Sequence, residues 1–222
     1  MTVPQKSAVA VIGLGAMGLP MAARLAQYHR VFGFDVSSAR CQLATDRGVQ
    51  CTSSAGEAMV EATVIVLAVR DQTQLESVLG DDSALERLPP GAIIVLTSTV
   101  GPDAACHAES LLAGCSIDLI DAPVSGGAVR AAAGELLFMV GAPPGVLERG
   151  RWVLEDLGST IYVAGTRVGD GQTMKVVNQL LCGIHTAAAA EQLYRLGLTH
   201  GLAAEDDSTI VRVLSPVSRD GA

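Results

Sequence analysis

Aromatic residues are scarce in this chain: one Trp, three Tyr and three Phe, 3% of 222 residues. The core must therefore be built from Val, Leu, Ile and Ala, within a hydrophobic content of 49% that is ordinary for an α/β protein. Positive charge is also in deficit. Fifteen Lys and Arg stand against 23 Asp and Glu, for a net charge of −8 and a pI near 4.9. That balance argues against nucleic acid or an anionic membrane as partner. The five cysteines, Cys41, Cys51, Cys106, Cys115 and Cys182, are odd in number and form no C-x-x-C. Several lie in apolar runs, so buried, reduced thiols are expected rather than disulfides. His29, His107, His185 and His200 form no H-x-x-x-H or H-E-x-x-H pattern, and no metal site is expected. No stretch reaches the length of a membrane span, and Met1–Ser7 is polar, unlike a signal peptide. The expected location is the cytoplasm.

What is present is concentrated at the start. Residues 8 to 25 read Ala-Val-Ala-Val-Ile-Gly-Leu-Gly-Ala-Met-Gly-Leu-Pro-Met-Ala-Ala-Arg-Leu. An apolar run ends at Gly13, and an Ala-rich helical pattern opens after Gly18. This is the strand–turn–helix setting that gives a G-x-G-x-x-G run its meaning. Gly13 permits the tight turn, Gly15 lets a pyrophosphate approach the backbone, and Gly18 lets helix and strand pack closely. The helix N-terminus offers N–H groups and partial positive charge to the phosphates. The next apolar run, Val31–Phe34, ends in Asp35. An acid there can accept hydrogen bonds from both hydroxyls of an adenosine ribose and repels a 2′-phosphate, favouring NAD over NADP. The alternative is that Asp35 is a solvated strand end or caps the following helix. Arg40 lies near enough to soften the preference, although a surface arginine is the plainer reading.

The chain is long enough for one good core and a small second domain. Strand patterns at 8–13, 31–35, 63–69, 91–97, 117–121, 136–141 and 159–163 alternate with helical patterns at 16–29, 37–47, 72–80, 102–113 and 144–156. Such alternation predicts a doubly wound, mostly parallel α/β sheet of Rossmann type. Ligands of such sheets bind at the carboxyl ends of the strands. There the sequence places Val69-Arg70-Asp71, Thr97-Ser98-Thr99, and Asp121-Ala-Pro-Val-Ser-Gly-Gly127. Thr99 is placed to meet the nicotinamide half of a dinucleotide, or to N-cap the helix near Pro102. Composition changes at Thr166–Gln172, and a long helical pattern runs from about 172 to 200. This divides the chain into a dinucleotide-binding domain, 1–166, and a helical part, 167–222. Gly201 reads as a helix stop and Ser215-Pro216 as the end of a further helix near 204–214. Residues 217–222 read as a loose tail.

Two stretches suggest chemistry. Ser125-Gly126-Gly127 sets a hydroxyl beside two unhindered backbone N–H groups, able to hold a carboxylate or simply to turn the chain. Along the long helix, Gly171, Lys175, Asn178 and Cys182 fall on one face. A lysine flanked by Met174, Val176 and Val177 is expected to be partly desolvated, which lowers an ammonium pKa toward the working pH of an acid/base. The alternative is a lysine whose head reaches solvent.

Gly13-Leu14-Gly15-Ala16-Met17-Gly18, Asp121-Ala-Pro-Val-Ser-Gly-Gly127 and Gly169-x-Gly-x-x-x-Lys175-x-x-Asn178 together resemble the β-hydroxyacid dehydrogenases. That family includes 3-hydroxyisobutyrate, tartronate semialdehyde and L-threonate dehydrogenases. The resemblance implies Lys175 as catalytic acid/base, with Ser125, Gly126, Gly127 and Asn178 at the substrate. It also implies that Gly13 to Gly18, Asp35, Ala68, Val69 and Thr99 hold NAD. Residues 121–135 look somewhat more like the threonate-type members. Relatives continue through a longer all-α domain that carries much of a dimer, whereas this chain ends soon after the second helix of that domain. The resemblance therefore implies a shortened member, a homo-oligomer through its C-terminal helices, and an exposed apolar face on the long helix. Two other readings stand beside an NAD-dependent hydroxyacid oxidoreductase. One is a cofactor-binding or dimerisation remnant without turnover; the other is an imine-reductase-like enzyme, against which Lys175 and Ser125–Gly127 count.

Overall fold

A computed structural model describes residues 8–80 and 82–199. The elements and tail expected beyond residue 200 lie outside the described residues.

The described strands form one nine-stranded sheet ordered β3-β2-β1-β4-β5-β6-β8-β7, with β9 on β8. From β3 (Gln50–Cys51) through β2 (Arg30–Phe34), β1 (Ala8–Ile12), β4 (Val64–Leu67), β5 (Ile93–Leu96) and β6 (Asp118–Asp121) every pairing is parallel. The order 3-2-1-4-5-6 is that of the dinucleotide-binding doubly wound sheet, whose direction of winding reverses between β1 and β4. The expected fold class therefore holds. Beyond β6 the sheet becomes mixed. β7 (Val124–Ser125) and β8 (Leu136–Gly141) are antiparallel arms of a hairpin closed by α7 (Gly127–Ala133), and β9 (Gly158–Gly165) returns parallel to β8 after α8 (Pro144–Leu157).

The central strands are apolar throughout because both faces are covered. Alternate side chains serve two separate cores. Val9, Val11, Val64, Val66, Ile93 and Val95 pack with α1 (Gly18–Leu25) and α8. Ala10, Ile12, Ile65, Leu67, Ile94 and Leu96 pack under α3 (Ala55–Val60), α4 (Gln72–Leu79) and α6 (Pro102–Leu111). The period of two along each strand thus assigns every residue to one layer.

The elements absent from the sequence reading are short: β3, β7, α3, α7 and α5 (Asp82–Leu85). Few residues leave little periodicity to read. For α3 a signal did exist, since Ser54 accepts a hydrogen bond from the Glu57 N–H at 3.1 Å, the N-terminal half of a capping box. Between β2 and β3 lies α2 (Ser38–Thr45). The long helix, α9, spans Asp170–Thr199. Compact packing divides the chain within it, between Val176 and Val177, because its first turns are bonded to the ends of β5 and β6. None of the cysteines is fully buried, and Cys106 and Cys182 are exposed. The expectation of buried thiols is corrected there: both lie on outward-facing helix surfaces, where an apolar local sequence does not bury them. Among the described residues no helix is long and apolar enough to cross a membrane.

Close approach of α1 to β1 depends on Gly18, where a methyl group would collide with the Gly13 carbonyl. Gly18→Ala should cost about 2 kcal/mol or more through the forced displacement of α1. Gly15→Ala meets nothing within 4 Å and should stay within about 0.5 kcal/mol of the parent. Paired urea melts check both.

Candidate functional site

The turn after β1 is held by backbone and by one carboxylate. The Gly13 N–H donates to the Phe34 carbonyl at 2.9 Å, and Gly13 has φ +90°, a conformation natural only to glycine. Its α-carbon abuts β4, since a methyl there would lie 2.5 Å from the Ala68 carbonyl oxygen. Asp35, at the end of β2, accepts from the Leu14 N–H through Oδ2 and from the Ser37 N–H through Oδ1, both at 2.8 Å. The acid therefore bonds the turn before α2, whose N-cap position is held by Ser37, and also fastens the glycine turn. Each carboxylate oxygen retains a lone pair for a ligand hydroxyl. Met17 occupies the N-cap of α1 and supplies no side-chain cap, which leaves that end of the helix suited to an anion. An open groove of about 570 Å³ runs beside Asp35, lined also by Phe34, Val36, Cys41, Thr52 and Ser53.

The ends of β4 and β5 form the neighbouring rim. The Ala68 N–H donates to Ile12 at 2.8 Å, and the Ser98 hydroxyl donates to the Val69 carbonyl at 2.7 Å. Thr99 is exposed. Its alternative role as N-cap of α6 does not hold, because Gly101 occupies that position.

A buried, hydrogen-bonded cluster around Asp121 was not singled out by the sequence. Asp121, wholly buried, accepts from the Gly169 and Gln172 N–H groups at 2.9 and 3.0 Å through Oδ2. Its Oδ1 accepts from Gln172 Nε2 at 2.8 Å. The same amide nitrogen donates to the Ser98 carbonyl at 2.9 Å, while Gln172 Oε1 accepts from the Val100 and Gly101 N–H groups at 3.0 and 3.1 Å. The amide is thus saturated, with donors on one side and acceptors on the other fixing its orientation. A carboxylate from β6 serves as the N-terminal cap of α9, and a glutamine from α9 ties that helix to the loop after β5. Burial pushes the Asp121 carboxyl up from its ordinary value, against the pull of its Gln172 and Gly169 donors. Gly171 is required there by crowding: a methyl would lie 2.5 Å from the Met139 carbonyl and 2.8 Å from that of Asp121.

Lys175 lies one turn along α9 from this anchor and is only 6% exposed. The alternative of a solvated lysine is therefore set aside. Asn178, on the following turn, is half-buried. Ser125 is half-buried and paired opposite Leu137 of β8. Gly126 and Gly127 follow with φ +133° and +73°, and both are exposed. A signal for the missed pair was available: an acid closing an otherwise apolar strand, and a glutamine in the first turn of a helix.

Sheet order, winding reversal and glycine turn define a dinucleotide-binding Rossmann domain. Residues 8–165 match the NAD binding domain of 6-phosphogluconate dehydrogenase, and the chain belongs to the β-hydroxyacid dehydrogenase family built on it. It is 39% identical over 196 residues to the 3-hydroxyisobutyrate dehydrogenase of Pseudomonas aeruginosa, covering 87% of this chain and 65% of that one. It is 34% identical to an L-threonate dehydrogenase of Escherichia coli O6:H1, covering 83% of this chain and 62% of the relative. Among solved structures, 3-hydroxyisobutyrate dehydrogenase of Mycobacterium tuberculosis with L-serine superposes with a TM-score of 0.81 at 32% identity, covering 93% of this chain and 70% of that one. The chain thus spans somewhat less than two thirds of the length of these two curated relatives.

Replacing Asp121 tests the anchor. Asp121→Ala strands three donors and should lower stability by about 3 kcal/mol or more. Asp121→Asn sets an NH₂ against donors and should also destabilise. The raised carboxyl pKa adds a pH signature. The folded state binds this proton more tightly than the unfolded chain, so ionising Asp121 costs stability as pH rises from the ordinary Asp value through the raised one. The stability difference between parent and Asp121→Asn should therefore shrink over that interval, read from urea melts across pH.

Proposed function

We propose that this chain is an oxidoreductase that exchanges a hydride between a small β-hydroxyacid and NAD, with Lys175 as the acid/base. The observation that carries the reading is a buried lysine held one turn beyond a fully bonded anchor at the carboxyl edge of a dinucleotide-binding sheet. The residues fit the cofactor. Open space at Gly15 and the uncapped start of α1 suit a pyrophosphate, and Asp35 beside the groove suits the ribose hydroxyls of NAD rather than the phosphate of NADP. Leu14, Ala16 and Met17 complete the turn, and Ala68, Val69 and Thr99 line the rim toward the nicotinamide. When bound, NAD supplies the hydride acceptor.

The chain's own groups do the rest. Ser125 and the backbone of Gly126 and Gly127 hold the substrate carboxylate. Asn178 follows Lys175 by one turn of the same helix, at a spacing that suits it to orient the lysine. Lys175 takes the proton of the β-hydroxyl in oxidation and returns it in reduction. Its cation beside the developing alkoxide supplies electrostatic stabilisation, and fixed placement supplies the entropy advantage. Substrates resembling 3-hydroxyisobutyrate, glycerate or threonate fit this reading, which the relatives' names support. The free cysteines fit a reducing, cytoplasmic setting. The alternative is a cofactor-binding module without turnover, which uses the glycine turn and the groove beside Asp35 but not Lys175.

NADH formation over a panel of β-hydroxyacids, beside calorimetry of NAD binding, separates the two. The first reading expects turnover on at least one acid, and a Lys175→Ala loss of about 100-fold or more in kcat with NAD affinity kept. Binding without turnover supports the module; retained turnover in Lys175→Ala removes the acid/base role.

We also propose self-association through α9. Val177, Leu180, Leu181 and Ile184 are all exposed and share one stripe at helical spacing. Sedimentation should find a dimer, and Leu180→Glu with Ile184→Glu should convert it to monomer. A monomeric parent, with no binding of a hydrophobic dye, would count against the interface.

A further inference from the structure

The cofactor groove has a wall that the proposed chemistry does not use. Cys41 lies in the first turns of α2, where its N–H donates to the Ser37 carbonyl at 3.1 Å. The chain leaves α2, reverses at Gly48, which has φ +87°, and returns as β3, where Cys51 pairs opposite Gly33 of β2. The reversal sets the two cysteines side by side. Cys51 Sγ donates to the Cys41 carbonyl at 3.2 Å, so the thiol of one lies against the backbone of the other. Cys41 Sγ in turn donates to the Asp35 carbonyl at 3.4 Å. Both residues are half-buried at the border of the same apolar core, and Cys41 lines the groove with Asp35. Among the described residues Cys106 shows a different arrangement, its thiol bonded to the Val168 carbonyl at 3.5 Å.

We propose that Cys41 and Cys51 form a reversible dithiol–disulfide site on the wall of the groove, oxidised by a low-molecular-weight disulfide, and that its oxidation weakens cofactor binding. In the first step one cysteine thiolate attacks the small disulfide, forming a mixed disulfide and releasing one small thiol. The second cysteine then attacks the mixed disulfide, closing the Cys41–Cys51 bond and releasing a second small thiol. The two protons leave with the departing thiols, and the two electrons pass to the small disulfide. Burial pushes the Cys51 thiol up, with the Cys41 sulfur beside it acting in the same direction. Cys51 is thus largely protonated at neutral pH, and exchange is best followed in mildly alkaline buffer.

The effect on binding follows from the hydrogens lost. A disulfide carries no S–H, so the Cys41 donor to the Asp35 carbonyl and the Cys51 donor to the Cys41 carbonyl both disappear. The sulfur–sulfur bond is far shorter than a thiol contact, about 2.05 Å, and it draws the start of α2 toward β3. The groove wall then shifts against Asp35, the residue assigned to the ribose. This consequence rests on the proposed NAD site; the cysteine chemistry does not.

The test treats reduced protein with oxidised glutathione and maps disulfides by peptide mass spectrometry without reduction, with NAD affinity measured by calorimetry before and after. A Cys41–Cys51 linkage, a Kd for NAD raised by about fivefold or more and recovery with dithiothreitol are expected. Cys51→Ser should bind NAD like the untreated parent and lose the response. Adducts confined to Cys106, Cys115 or Cys182, or a Cys41–Cys51 bond that leaves NAD affinity unchanged, would overturn the proposal. Failure of the reduced parent to bind NAD would instead overturn the proposed cofactor site, while the mass map still decides whether the bond forms.

Discussion

A fully buried carboxylate holds the beginning of α9. Asp121 closes β6 inside the sheet, and its oxygens take up N–H groups that the first turn of α9 would otherwise leave unbonded. The arrangement is costly, because burial disfavours the charged form and raises its pKa. What it gives in return is position. Helix caps are usually local, supplied by the residue that opens the helix. Here the cap comes from a strand far away in sequence, so α9 cannot shift without breaking bonds to β6. Gln172 adds a second tie to the loop after β5. Lys175 inherits its place from both.

The other end of the candidate site works on the same principle with weaker parts. Asp35 bonds the glycine turn and the turn before α2, so the loop after β1 and the end of β2 move as one. The turn itself is shaped by missing side chains. Gly13 and Gly18 are forced by collisions with the neighbouring backbone, whereas Gly15 faces open space. Two glycines therefore serve packing, and the third has open space beside it. The ends of β2 and β6 thus each carry an acid bonded to N–H groups of the turn or helix beside it.

Much of this was legible in the residues. Uninterrupted apolar runs such as Val64–Leu67 show a strand covered on both faces, and their alternation with helical patterns gives a parallel sheet. The glycine turn is readable because its demands are local: a positive φ, a close approach, an unhindered backbone. The short elements β3, β7, α3 and α7 escaped because so few residues carry no period. The alternative of a helix cap at Thr99 falls because Gly101 and Pro102, two and three positions later, begin α6. The cysteines were misjudged for a related reason: apolar neighbours in sequence do not tell which side of a helix faces out.

The amino-acid sequence by itself determined the layer structure and the order of the longer strands and helices through β6, because each follows from periodicity and from backbone rules acting over a few residues. Tertiary structure alone decided that Asp121 would cap α9 and that Cys41 and Cys51 would come together across the Gly48 reversal. Those outcomes depend on contacts between distant segments, and no local pattern encodes which buried donor a given carboxylate will find.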